Sequence, residues 1–137
     1  MNGTTLTNTT RMRDMVDGTS NTIMFGEDAG RHQIWAAGVA VMPNGFNQTG
    51  WALNAAWADY NTAIQVHGFD NTGTQREKGC CVINCSNYNE FYSFHTGGVN
   101  TLRGDGSVHF VQASIAPGVL AAMVTRAGGE TLNDGDY

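Results

Sequence analysis

Four side chains in this sequence could support acid–base or nucleophilic chemistry: Glu27, His95, Asp105 and Ser107. An imidazole beside a carboxylate and a hydroxyl can transfer protons or activate a nucleophile. The motifs that hold such groups in place are missing, since the sequence has no G-x-S-x-G elbow, no H-E-x-x-H pair and no phosphate-binding glycine loop. A turn explains Asp105, and a structural hydrogen bond explains His95. We therefore expect no catalytic residues and no enzyme.

The three cysteines, Cys80, Cys81 and Cys85, allow two kinds of site. A zinc site needs about four ligands, but there is no fourth cysteine and His95 stands alone. A disulfide between Cys81 and Cys85 is the better interpretation, and it implies an oxidising compartment. Cys80 then remains a free thiol or forms a disulfide bond with another subunit.

Calcium is the metal that the oxygen-rich turns could bind, because hard cations take carboxylate and carbonyl ligands. The carboxylates that could contribute are Asp17, Glu27, Glu90 and Asp105. The sequence has no D-x-D-x-D-G loop, so the alternative is that these side chains only fix turns. No other cofactor is expected.

Composition describes a small exported domain better than a cytosolic enzyme. The chain has 137 residues, of which 41% are hydrophobic and 14% charged, against about 25% charged in ordinary domains. The net charge of -5 and the scattered Lys and Arg argue against nucleic acid as a partner. No run of 18 apolar residues exists, so we expect no membrane contact by this segment. The N-terminal residues do not resemble a signal peptide, so export implies that the export segment is missing.

The elements that must position these side chains are mostly strands and turns. Residues 17–22 predict a turn, with Asp17, Gly18, Ser20 and Asn21 as its structural residues, followed by a short buried strand over 22–27. Residues 34–66 contain all three tryptophans, which we expect to close a core; a platform for stacking sugars is the alternative. Residues 67–90 predict a long loop.

The clearest local prediction is a β-hairpin. Asp105-Gly106 separates two strand-like runs, residues 99–104 and 107–111. Counting by twos puts Leu102, Val108 and Phe110 on one face, with Arg103 and His109 on a solvated opposite face.

A short helix is predicted to follow the hairpin. It has Ser114 as N-cap, Pro117 in the first turn, a body over 119–126 and a stop at Gly128-Gly129. The expected fold class is α+β, mostly β: an antiparallel sheet with a C-terminal hairpin and a short final helix. Residues 11–137 are expected to form one domain, preceded by an arm over 1–10 that is either flexible or donated as a strand to a neighbour.

Five motifs occur in order and together resemble a known family. They are DMVDGTSNT at 14–22 followed by Gly26-Glu27, CVINC at 81–85, NEFYSFH at 89–95, DGSV at 105–108 and TRAGGE at 125–130. The spacing of His95 and Asp105-Gly106 matches the H-x9-DG signature of planctomycete-type pilin-like secreted proteins, a family of unknown function. Cys80 departs from the proline or small residue that the resemblance leads us to expect.

The resemblance implies a type IV pilin or pseudopilin-like protein: a cleaved leader, a hydrophobic helix and a β-sheet head. The hydrophobic helix is missing from this chain, so assembly through it is inferred. The implied function is a structural subunit of an extracellular bacterial filament or pilus-like surface assembly, with itself as partner. Related heads bind calcium, which strengthens that possibility.

A monomeric cell-surface binding module for glycan or calcium is the alternative function.

Sequons for N-glycosylation at Asn2, Asn8, Asn47 and Asn84 are expected by chance in a chain this rich in Asn and Thr.

Overall fold

The chain folds around a three-stranded antiparallel sheet. The computed structural model describes residues 10–31, 33–41, 63–130 and 132. Its elements, in chain order, are a 3-10 turn over Met12–Asp14, β1 over Ile23–Gly26, β2 over Trp35–Ala36, β3 over Val39–Ala40, β4 over Gly98–Arg103, β5 over Val108–Gln112 and α1 over Pro117–Val124. The main sheet has the order β1-β4-β5, and β2 and β3 form a separate small hairpin. The predicted α+β, mostly β class is confirmed.

The predicted β-hairpin is present as β4 and β5. Its loop is stabilised by Asp105, whose Oδ1 accepts hydrogen bonds from the Ser107 amide at 2.9 Å and the Ser107 hydroxyl at 2.6 Å. Gly106 has a φ of 88°, a left-handed conformation that favours glycine. The backbone amide of Arg103 donates a hydrogen bond to the Ser107 carbonyl at 2.9 Å, which closes the turn.

The two faces of this hairpin were predicted correctly, and His109 is exposed as expected, but the expectation that Arg103 is solvated was wrong. Leu102 lies opposite Val108; on this face Val108 and Phe110 are exposed and Leu102 is half-buried. Arg103, expected in solvent, is completely buried on the opposite face. The reason is that the rest of the chain covers that face, so a long side chain with a cationic end is enclosed there while valine remains outside.

The core lies between that inner sheet face and α1. Leu120 and Met123 of the helix pack with residues of the sheet and of the irregular segment before it. The buried members of this cluster are Val82, Ile83, Phe91, Val99, Val111, Ile115, Leu120 and Met123.

Helix α1 has its N-cap two residues later than predicted and ends at Val124, two residues before the predicted end and well before Gly128-Gly129. Its N-cap is Ala116 in an extended conformation, with Pro117 at the first helical position, and Ser114 lies outside the helix. The Ser114 hydroxyl instead lies 3.4 Å from the Gln112 side chain. The predicted Ser114 cap is therefore wrong, whereas the role of Pro117 is confirmed.

Strand β1 follows the predicted turn. The Asn21 side chain donates to the Asp17 carbonyl at 3.1 Å, and the Thr22 hydroxyl donates to the Gly18 carbonyl at 3.0 Å. The register against β4 is irregular between Ile23 and Phe25. Phe25 is 65% exposed, so the expectation that the short strand is buried was wrong.

Several predictions fall outside the described residues. These are the arm over 1–10 except Thr10, the sequons at Asn2, Asn8 and Asn47, and the tryptophans Trp51 and Trp57. No helix within the described part of the chain is long and apolar enough to cross a membrane.

Candidate functional site

Residues 83–95 are mostly buried but form only isolated bridges, and asparagine side chains supply part of their hydrogen bonding. Asn84 has a φ of 60°, a conformation that asparagine tolerates better than most residues. Its side-chain Nδ2 donates to the Gly98 carbonyl at 3.2 Å, and its Oδ1 accepts from the backbone amide of Ser93 at 2.8 Å. The side chain of Asn84 therefore ties the irregular segment to the start of β4.

Asn87 connects this segment to residues 29–35. It is fully buried, and its Nδ2 donates to the carbonyls of Ala29 at 3.0 Å and Gln33 at 2.8 Å. Its Oδ1 accepts from the Trp35 amide at 2.8 Å. Because three backbone groups depend on one side chain, Asn87 substitutes for strand pairing between these segments.

A buried ion pair lies beside this junction. Arg31 donates to Asp28 Oδ2 at 2.7 Å, and the two side chains are only 4% and 5% exposed. The other terminal nitrogen of Arg31 donates to Asn89 Oδ1 at 2.6 Å. Burial raises the pKa of Asp28 to about 7, although Arg31 acts to lower it and Glu90 adds to the rise.

Glu90 forms a second buried contact. Its Oε1 lies 2.7 Å from His67 Nδ1, and its Oε2 accepts from the His67 amide at 3.0 Å. Burial raises the pKa of Glu90 above its ordinary value, and the bonds from His67 only partly oppose this. Glu90 therefore holds residue 67 against the core.

A groove of about 390 Å³ opens where the end of β1 meets the turn before β4. Residues 27–29 and 93–95 line it. The Tyr92 amide donates to the Glu27 carbonyl, and the Ala29 amide donates to the Tyr92 carbonyl, both at 2.9 Å. These bonds fix the two walls relative to each other.

Glu27 and His95 form the polar side of the groove. His95 Nε2 lies 3.4 Å from Glu27 Oε1, while the Asn100 amide donates to Glu27 Oε2 at 2.8 Å. Burial acts to raise the pKa of Glu27, but the hydrogen bonds from Asn100 and the nearby His95 outweigh it, so the pKa lies below its ordinary value. Glu27 is therefore an oriented, ionised carboxylate at neutral pH.

Phe94 forms the apolar side of the groove and is 60% exposed. Its ring makes edge-to-face contacts with Trp35, at 5.0 Å between centroids, and with Tyr92, at 5.7 Å. Gly30 permits this packing, because a Cβ there would come within 2.7 Å of the Trp35 ring. Phe94 is thus an exposed ring with a fixed orientation.

The outer face of the main sheet is a second candidate surface. Phe25, Leu102 and Val108 lie side by side across β1, β4 and β5. Val108 is 66% exposed, and Phe110 extends the apolar surface along β5. We call these four residues the outer apolar face.

The predicted structural residues lie in three separate places. Asp17 accepts hydrogen bonds from the Gly128 amide at 2.7 Å and the Gly129 amide at 2.9 Å, so it links the early turn to the chain after α1. Ser20 is exposed within that turn. Glu27 and His95 meet in the groove, and Asp105 and Gly106 form the hairpin loop.

The predicted disulfide between Cys81 and Cys85 is present, with Cα atoms 6.1 Å apart. Cys80 is a free, exposed cysteine. Its predicted role in a bond between subunits stays a prediction.

The four proposed calcium ligands do not meet. Asp17, Glu27, Glu90 and Asp105 each belong to a different hydrogen-bond network. In the parts of the chain that the structure describes, no group of three or more His, Cys, Asp or Glu side chains could hold a metal ion.

Sequence reasoning missed Asp28, Arg31, His67 and Asn87, although all four support the groove or the segment behind it. Asp28 and Arg31 pair with each other three residues apart, but the other partner of Arg31 and the partners of His67 and Asn87 lie far away in the chain, so no local pattern identifies these contacts. Only the NEFYSFH motif gave a signal, because Asn89 and Glu90 are the partners of Arg31 and His67.

The comparisons with known proteins give one match. A family model described as "Protein of unknown function (DUF1559)" matches residues 2–118. No curated protein and no solved structure matches the chain. Since the family model covers most of the sequence, this protein belongs to the DUF1559 family of proteins of unknown function.

Proposed function

We propose that this chain is a pilin-like structural subunit of an extracellular bacterial filament or pilus-like surface assembly. The observation that carries the proposal is the outer apolar face. Phe25 and Val108 are each about two-thirds exposed there, on a sheet whose inner face already packs against α1. A subunit that leaves one sheet face apolar has a surface suited to contact with another copy.

The side-by-side placement of these apolar side chains favours a real contact over chance exposure of single residues. Contiguous apolar patches of a few hundred Å² on soluble proteins mark interaction sites. Removing such a patch from water is worth about 25 cal/mol per Å², so burying roughly 300 Å² contributes about 7 kcal/mol before the costs of association. The low fraction of charged residues reduces repulsion between neighbouring subunits.

The spacing of the H-x9-DG signature has a simple structural counterpart that supports the pilin-like assignment. His95 lies before β4, and Asp105-Gly106 forms the loop after it. The nine intervening residues therefore hold one turn and the central strand. The disulfide between Cys81 and Cys85 supports an extracellular location, because such bonds persist in oxidising compartments.

Electron microscopy of native material, with sedimentation of purified variants, tests the proposal. Regular fibres whose repeat matches one domain of this size are expected. Val108→Glu should abolish association, because it places a charge in the outer apolar face, whereas Val39→Glu changes an equally exposed valine outside that face and should not.

Isolated particles in native material, with monomers at every concentration, would contradict the assembly. A monomeric surface-binding module would then become the leading function. Equal effects of Val108→Glu and Val39→Glu would show that the outer apolar face is not the contact.

A further inference from the structure

The aromatic wall of the groove is built like a platform. Phe94 exposes more than half of its surface, yet Trp35 and Tyr92 fix its ring through contacts in which the ring planes are nearly perpendicular. An exposed phenylalanine free to rotate loses conformational entropy when a ligand stacks on it, whereas a fixed ring loses little. The negative face of such a ring attracts the weakly positive C–H groups of a sugar ring.

The polar wall offers both hydrogen-bond acceptors and a donor. Glu27 carries ionised oxygens, and His95 places an imidazole 3.4 Å from one of them. Neighbouring hydroxyl groups on a ring both donate and accept, so a carboxylate beside an imidazole can bind two of them together. Asn100 holds Glu27 in place through two hydrogen bonds, at 2.8 Å and 3.2 Å.

Charge and size restrict the ligand further. Glu27 contributes an ionised carboxylate to the groove, and the chain has a net charge of -5, so acidic sugars are repelled. A simple ammonium ion would use only the acceptors and leave His95 without a role. The volume of about 390 Å³ lies at the lower end of ligand sites and suits one sugar ring. We propose that this groove binds a neutral pyranose unit of a glycan, a role independent of the proposed assembly.

Saturation-transfer NMR titrations of the full chain test this site. The probes are cellotetraose, chitotetraose and mannotetraose, with tetragalacturonate and n-butylammonium as acidic and cationic comparators. We expect saturable binding of at least one neutral tetrasaccharide. Phe94→Ala should weaken it about fivefold through loss of the stacking surface, and Glu27→Gln about tenfold through loss of a charged acceptor. Val16→Ala, which shortens an exposed apolar side chain outside both the groove and the outer apolar face, is the control and should bind normally.

Amide spectra of each variant establish that it is folded before affinities are compared. Failure of all three neutral tetrasaccharides to bind would overturn the proposal. Preferred binding of tetragalacturonate or n-butylammonium would also overturn it, as would a folded Phe94→Ala variant with full affinity. Should Glu27→Gln not fold, Phe94→Ala alone decides, because its exposed ring is not needed for the core.

Discussion

Replacing Asp28 by asparagine should remove most of the pH dependence of stability near neutrality. Asp28 is buried against Arg31, and its pKa is raised to about 7. An acid whose pKa is higher in the folded state binds its proton more tightly there. Stability from this group is therefore complete below pH 4, where unfolded aspartate is also protonated, and is lost as the pH rises to 7.

The size of the effect follows from the shift. Raising the pKa from 3.8 to about 7 corresponds to about 4 kcal/mol, at 1.36 kcal/mol per unit. Unfolded aspartate is already ionised at pH 5, so about 2.5 kcal/mol of that loss falls between pH 5 and pH 8. Asparagine cannot ionise, so this part of the slope should vanish in Asp28→Asn.

Urea unfolding at pH 5 and pH 8, without reductant, measures the difference. Slopes are compared and not absolute stabilities, because Asp28→Asn also weakens the contact with Arg31. Glu90, whose pKa is raised too, contributes a slope that remains in both proteins, and the part of it that comes from repulsion by Asp28 disappears with Asp28. The reasoning is refuted if wild type and Asp28→Asn lose the same free energy between the two pH values.

Three further predictions concern stability, each measured by urea unfolding. Replacing Cys81 and Cys85 by serine should cost about 2 kcal/mol, since the closed loop is short, whereas Cys80→Ser should cost nothing; equal costs would contradict the bond. Arg103→Ala should cost about 3 kcal/mol, because it empties a fully buried position and removes a hydrogen bond to a backbone carbonyl. If Arg103→Ala were as stable as wild type, the Arg103 side chain would have to lie in solvent. Leu120→Ala should cost about 3 kcal/mol, and a loss below 1 kcal/mol would contradict the packing of α1.

The hairpin was predictable because its information is local. Asp105-Gly106 determines the turn through bonds within a few residues, and period-two counting then gives the two faces of β4 and β5. Which face is buried depends on α1 and on the segment before β4. The prediction counted Leu102, Val108 and Phe110, yet the core formed on the other face, where Val99 and Val111 lie with Arg103.

The groove was only partly predictable. His95 and Glu27 were identified separately from motifs, but their proximity depends on β1 pairing with β4 from a distant part of the chain. The sequence gives no pattern that predicts the network around Asn87, because it does not distinguish a buried asparagine from one in a surface turn. Which polar side chains become buried depends on contacts between distant parts of the chain, and the periodicity of hydrophobic residues does not predict those contacts.

The position of β4 in the middle of the sheet has a consequence for the order of folding. β4 pairs with β5 across one short loop, but residues 27–97 lie between β1 and β4. Closing that long loop costs chain entropy before any contact repays it. The β4–β5 hairpin should therefore be structured in the folding transition state while β1 docks afterwards, so destabilising substitutions in β1 act mainly by speeding unfolding.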